Sequence, residues 1–168
     1  YIHPLFQRIR GDMIQWKKIE QQANEMISAA ALDKSALQKV CSMLQQTVAH
    51  YDWVGIYTMD PEERRLDLLC FEGLPTEHTS IPYGKGICGQ VAESGEALFV
   101  DDVRLEDNYI SCNVLVRSEV VYPIFSGDRL VAQLDIDSNK TAPFGPEDRK
   151  LIGRICEQIG EKWPLADF

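Results

Sequence analysis

The most constraining feature of this chain is a pair of apolar runs, "SEVVYPIF" and "RLVAQLDIDS", separated only by "SGD". Two β-rich runs joined by so short a glycine-containing connection read as an antiparallel hairpin. The second run is unusual: Asp is depleted in strands, yet Asp135 and Asp137 stand at i and i+2. Strand alternation puts both on one face and Leu134 and Ile136 on the other. The partner run itself begins with a carboxylate, Glu119. On spacing alone this face is either solvated or the wall of a pocket in which clustered carboxylates hold a cation. Like charges drawn together raise one another's pKa, so such a cluster can bind an ammonium group and also donate a proton.

A second hairpin precedes it, "DWVGIYTM" and "RLDLLCFE" about "DPEER". "GICGQVAES" reads as a short helix closed by Gly95, "EALFVDDV" as a short strand, and residues 104–117 as a polar loop. Three stretches carry helical periodicity instead. Residues 14–32 place Trp16, Ile19, Ala23, Met26, Ile27 and Ala30 on one stripe. A second helix, capped by Asp33 or Ser35, carries Leu37, Val40, Cys41, Leu44 and Val48. The last opens at "FGPED", with Pro146 in its first turn, and runs through Leu151, Ile152, Ile155, Ile159 and Trp163. Hairpins dominate the strand connections. The expected fold is therefore α+β, a central antiparallel sheet flanked by N- and C-terminal helices, and 168 residues suit one domain.

A formal net charge of −9 opposes attraction to nucleic acid or to anionic membrane, so neither is an expected partner. No run of 18 apolar residues occurs and "YIHPLFQRIRGD" lacks the apolar core of a signal peptide, which makes a cytoplasmic location the expectation. Five cysteines at 41, 70, 88, 112 and 156, without a CxxC, fit a reducing compartment. Cys41, Cys70 and Cys156 fall on apolar sides of their elements and read as core. His3, His50 and His78 are too scattered for a zinc site, and no metal is expected.

Two cysteines need separate readings. "YGKGICGQVAESG" lacks the Lys-Ser/Thr ending of a P-loop and the βαβ context of a dinucleotide fold, so its glycines mark a tight turn into a helix. Cys88 then sits in the first helical turn, either as a small buried side chain or as a thiol whose ionised form the N-terminal N–H groups favour. Cys112 lies in "EDNYISCNVLVRSE", a polar loop, where it is either incidental or a reactive thiol.

"GKGICGQVAESGEALFVDDV", followed by a loop and two strands, resembles a GAF domain, the small-ligand module related to PAS domains. Together "DWVGIY", "GKGICG", "SEVVYPI" and "LDIDS", with Cys112 between the second and the third, are similar to the free methionine-(R)-sulfoxide reductases, single-domain GAF enzymes. The resemblance covers residues 14–163. It implies a single GAF domain over residues 1–168, with its motif-bearing core at 33–163 and an N-terminal helix at 14–32. It implies that Cys112 is the nucleophile attacking the sulfoxide of free methionine, that a second thiol condenses with it, and that thioredoxin or another thiol reductant restores both. It assigns Glu119, Asp135 and Asp137 to the acidic pocket and Trp53 and Tyr57 to an aromatic wall, with no cofactor or metal. A homodimer through terminal helices bearing Trp16 and Trp163 is also implied. The chain departs from the family in two respects: the resolving cysteine that usually shortly precedes GKGICG is missing from "PTEHTSIP", where His78 or a neighbour stands, and the loop around Cys112 reads "NYISCN" where the family usually has a His and an Asp nearby. Cys88 inherits the resolving role, unless an external thiol such as glutathione takes it. The alternatives are a GAF sensory module that binds a small ligand without turnover, and a pure interaction protein.

Overall fold

The fold was obtained as a computed structural model describing residues 4–29, 31–110 and 113–164. Six strands form one antiparallel sheet: β1 (Trp53–Asp60), β2 (Arg65–Glu72), β3 (Ser80–Pro82), β4 (Leu98–Val100), β5 (Ser118–Ser126) and β6 (Arg129–Ser138). Their spatial order is β3-β2-β1-β6-β5-β4, which sets β6 between β1 and β5. Alternation then sorts the side chains. Val54, Ile56, Val120, Leu134 and Ile136 point to one face, where α1 (Pro4–Ser28), α2 (Lys34–Thr47) and α4 (Pro146–Lys162) cover them with Ile27, Leu37, Leu44, Ile152 and Ile155. Trp53, Tyr57 and Val121 point to the other, where the nine-residue α3 (Gly86–Ser94) supplies Ile87, Cys88 and Val91.

Local chemistry sets the helix ends. Asp33 caps α2 by accepting the Ala36 N–H at 2.8 Å. Asp148 accepts the Gly145 N–H at 2.8 Å at the start of α4, while its other oxygen meets His50 Nε2 at 2.6 Å, tying the end of the α2 segment to α4. Gly95 closes α3 in the left-handed region at φ 70, its N–H donated to Val91 O.

The expected α+β architecture, both hairpins and the helices are present, and Cys41, Cys70 and Cys156 are buried. Three differences have physical reasons. α1 starts at Pro4 rather than residue 14, because Pro is accepted in a first helical turn and the preceding segment has no stop signal. Ser80–Pro82 pairs with β2 inside "PTEHTSIP"; three residues ending in Pro are too few to show alternation. A 3-10 turn at Val103–Leu105 interrupts the expected polar loop, capped by Asp102. Trp163 is only 6% exposed and packs into the helix-side core, so the expectation that it presents a dimer surface is corrected; Trp16 is half-buried against the same core. Among the described residues no helix is long and apolar enough to cross a membrane.

Gly160 lets α4 lie directly on β5, since a Cβ there would overlap the Phe125 carbonyl, a backbone group that cannot swing aside. At Gly153 the same addition would meet only the Tyr122 ring end at 3.0 Å. We therefore expect Gly160→Ala to lower stability by about 1–3 kcal/mol, and Gly153→Ala to cost much less because the Tyr122 hydroxyl can yield and Ala favours helix. Urea unfolding of the two variants checks this; equal midpoints would remove the close-approach argument.

Candidate functional site

The register of the three central strands assembles the polar residues. Glu119 on β5 stands opposite Asp137 on β6, and Val121 opposite Asp135. On the other side of β6, Trp53 faces Asp137 and Gly55 faces Asp135. All three carboxylates therefore share the α3 face of the sheet. They are buried there, Glu119 at 5% exposure, Asp135 at 2% and Asp137 at 3%, which excludes a solvated face. Gly55 leaves the space over which the Trp53 indole lies. The ring packs near Tyr57 (centroids 6.4 Å) and stacks on Phe71 (5.6 Å, 18°). The indole Nε1 donates to Leu74 O at 3.1 Å and the Tyr57 hydroxyl to His78 O at 2.8 Å, so the aromatic wall holds the 73–79 segment beside the site.

α3 brings the thiol. Gly86 takes φ 63, a conformation that favours Gly, and donates its N–H to Asn108 Oδ1 at 3.0 Å. Asn108 Nδ2 in turn donates to Gly84 O at 2.9 Å, and Ile110 lies close against Gly86. The glycine run is thus a turn clamped by the long loop. Cys88 is the third residue of α3 and is 4% exposed. Its Sγ does not serve the helix N-terminus. It donates to Asp135 Oδ2 at 3.3 Å and stands 4.0 Å from Glu119 Oε1, so of the two readings of Cys88 the small buried side chain is the one that fits, with its thiol aimed at carboxylates.

Desolvation dominates the electrostatics. Burial, then the charges of Asp135 and Asp137, push the Glu119 carboxyl well above its usual range. Burial, then Asp135 and Asp52, do the same to Asp137. Asp135 is raised to about 7 by burial, against the opposing hydrogen bond from Cys88. The cluster therefore holds protons at neutral pH, releases them to water when a cation binds, and can donate one to an oxygen acceptor. Asp52 was not foreseen: it precedes β1, accepts the Asn139 N–H at 2.8 Å and bears on Asp137. Asn108 was also missed, because its role arises from a fold-dependent contact with residues 84–86 that no local pattern announces.

A pocket of about 170 Å³ opens beside Asp137, lined also by Trp53, Asp52, Thr76, Asn113 and Asn139. A larger, open groove of about 680 Å³ between α1 and α4 lies on the other side of the sheet and contains none of these groups. Cys112 falls outside the described residues. Its neighbours on both sides reach the site, Ile110 against Gly86 and Asn113 in the pocket wall. Cys88, Glu119 and Asp135 bring a sulfur and two carboxylate oxygens within 4.8 Å of one another, a spacing that suits a small cation such as an ammonium group.

A sheet sealed by three helices on one face, with a buried acid-and-thiol cluster under a short helix and a small pocket beside Asp137 on the other, defines an α+β domain with its polar groups gathered on one face. A family model of the GAF domain matches residues 33–161, and the chain belongs to the GAF domain family. It is 31% identical over 118 residues to Protein YtsP of Bacillus subtilis (strain 168), covering 70% of this chain and 72% of that protein. It is 25% identical over 145 residues to the free methionine-R-sulfoxide reductase of Escherichia coli (strain K12), covering 86% of each. Its structure is similar to the X-ray structure of free methionine-R-sulfoxide reductase from Neisseria meningitidis in complex with its substrate. The TM-score is 0.82 at 29% identity, covering 88% of this chain and 87% of that one.

The raised Asp135 carboxyl has a consequence for stability. Its folded pKa of about 7 exceeds the model-compound value of 3.8, so the folded state binds more protons than the unfolded state between those values. Stability must fall as pH rises through that window. Asp135→Asn removes this contribution. We expect the variant to gain stability relative to the parent chain as pH goes from 4 to 8, the two converging in acid; parallel stability-versus-pH curves would contradict it.

Proposed function

We propose that this protein reduces free L-methionine-(R)-sulfoxide to methionine. The observation that carries the reading is the convergence of Glu119, Asp135 and Asp137 with the Cys88 thiol in one buried cluster on the α3 face of the sheet, beside the Trp53–Tyr57 wall. Relatives and a structural neighbour named as free methionine-R-sulfoxide reductases support the same chemistry. The substrate's ammonium group enters the carboxylate cluster, where its charge favours ionisation of the carboxyls it touches. A methionine residue within a polypeptide has no such group. The methyl-sulfinyl end lies against Trp53 and Tyr57.

Cys112 is the nucleophile. Its sulfur attacks the sulfoxide sulfur while a protonated carboxyl of the cluster donates to the oxygen. The substrate's S–O bond breaks as the hydroxyl passes to the Cys112 sulfur, the transient S–S bond breaks with its electron pair going to the substrate sulfur, methionine leaves, and Cys112 becomes a sulfenic acid. The Cys88 sulfur then attacks that sulfenic sulfur, an S–S bond forms and water departs. A thioredoxin-like dithiol reduces the disulfide by exchange. Support for this pairing is that both flanks of Cys112 meet the site and that Cys88 is already held there. His78 occupies the loop from which the family's usual resolving thiol comes, its carbonyl bonded to Tyr57. A binding module without turnover is the second reading, and the missing thiol is what favours it.

The purified chain, given dithiothreitol and each epimer separately, should release methionine from the R epimer alone. Cys112→Ser should abolish the activity, and Glu119→Gln should lower kcat/KM by roughly 10²–10⁴-fold. Binding of the R epimer with no methionine formed would favour the sensory reading, and undiminished turnover in Cys112→Ser would move the nucleophile elsewhere.

A further inference from the structure

Two thiols that this chemistry does not use meet on the other side of the sheet. Cys41 of α2 and Cys70 of β2 have their Sγ atoms 3.9 Å apart, at 0% and 3% exposure. Helical periodicity sets Cys41 on the buried stripe with Leu37 and Leu44. Cys70 gets there through an irregularity. Ile56 pairs with Cys70 and the next residue, Tyr57, with Leu68, so Leu69 is an extra residue in β2. Such a bulge reverses which face later residues take. Leu66 accordingly lies on the α3 side, whereas Cys70 points at α2.

The surroundings fix the pair. Gln38 Nε2 donates to Phe71 O at 2.8 Å and the Ser42 hydroxyl donates to Glu72, so α2 is fastened to β2 on both sides of the sulfurs. The two thiols are also chemically unequal. The hydrogen bond with Cys41, followed by the charge of Lys34, lowers the Cys70 pKa. The Cys41 pKa is raised, first by that hydrogen bond, then by burial and by Glu72. Cys70 is therefore the more readily ionised of the two, although its burial opposes this.

We propose that Cys41 and Cys70 form an oxidisable dithiol, a modification site separate from the carboxylate pocket, which small hydroperoxides convert to a disulfide joining α2 to β2. The Cys70 thiolate attacks one peroxide oxygen. An S–O bond forms, the O–O bond breaks and hydroxide leaves, taking a proton to become water. The Cys41 sulfur then attacks the Cys70 sulfenic sulfur, the S–S bond forms, and the hydroxyl departs with the Cys41 proton as a second water. Two thiols are oxidised and one peroxide is reduced. Closing the bond requires the sulfurs to move from 3.9 Å to about 2.05 Å.

The test uses the full chain, reduced, exposed to graded hydrogen peroxide, alkylated in denaturant and cut with trypsin. Cleavage separates the Val40–Arg64 and Leu66–Lys85 peptides, each holding one of the two cysteines and neither holding Cys88. The expected result is a cross-linked pair of these peptides, lighter by two hydrogens than their sum, that grows with peroxide and disappears with dithiothreitol. It should form equally in a Cys88→Ser, Cys112→Ser chain, which separates it from the proposed reductase chemistry. Recovery of both peptides only as separately alkylated or singly oxidised species would overturn the proposal.

Discussion

Burying three carboxylates side by side without a fixed cation is the constraint around which the rest of the molecule is arranged. Each ionised carboxylate removed from water costs several kcal/mol unless it is protonated or paired. Here Glu119, Asp135 and Asp137 occupy adjacent positions on two paired strands, and the Cys88 thiol donates to Asp135. Their protonation relieves the repulsion but leaves the pocket poised to exchange protons for a cationic ligand. The cost is tolerable because the opposite face of the same strands, Val120, Leu134 and Ile136, is wholly buried by three long helices. That imbalance divides the labour of the sheet. One face holds the fold, and the other is covered only by α3 and loops, which leaves room for a site.

The loops are positioned by side chains of the site itself. Trp53 and Tyr57 each spend their polar atom on a carbonyl of the 73–79 segment, while Asn108 spends both ends of its amide on the turn at residues 84–86. The two rings are thereby oriented by bonds that also hold the 73–79 segment. Gly55 contributes by absence, since any side chain there would displace the indole.

How much of this was legible in the sequence depended on the range of the determining interaction. The 118–138 hairpin and the apolar stripes of α2 and α4 are period-2 and period-3.6 signals, and they are present as read. Alternation correctly put Glu119, Asp135 and Asp137 on one face. It could not say whether that face meets water or α3, because the covering helix comes from about thirty residues earlier in the chain. The bulge at Leu69 was invisible for a related reason: it is defined by pairing with β1, and in the sequence "RLDLLCFE" reads as a single alternating strand. The choice between the two readings of Cys88 could not be made from its helix position, because the carboxylates its thiol meets lie on other elements.

The charge of the pocket also bears on substrate choice under the proposed function. A cluster that holds its protons near neutral pH discriminates strongly in favour of a ligand bringing its own positive charge, since that ligand allows the carboxyls to ionise in pairs with it. A neutral peptide-bound methionine sulfoxide would have to leave the cluster unpaired or fully protonated. Raising the pKa of the acids thus does two things with one arrangement: it stocks a proton for the departing oxygen, and it makes the free amino group the feature the site selects. Neither effect requires the nucleophile to be unusually acidic, which fits a thiol carried on the long loop and delivered to a pocket already built by β1, β5, β6 and α3.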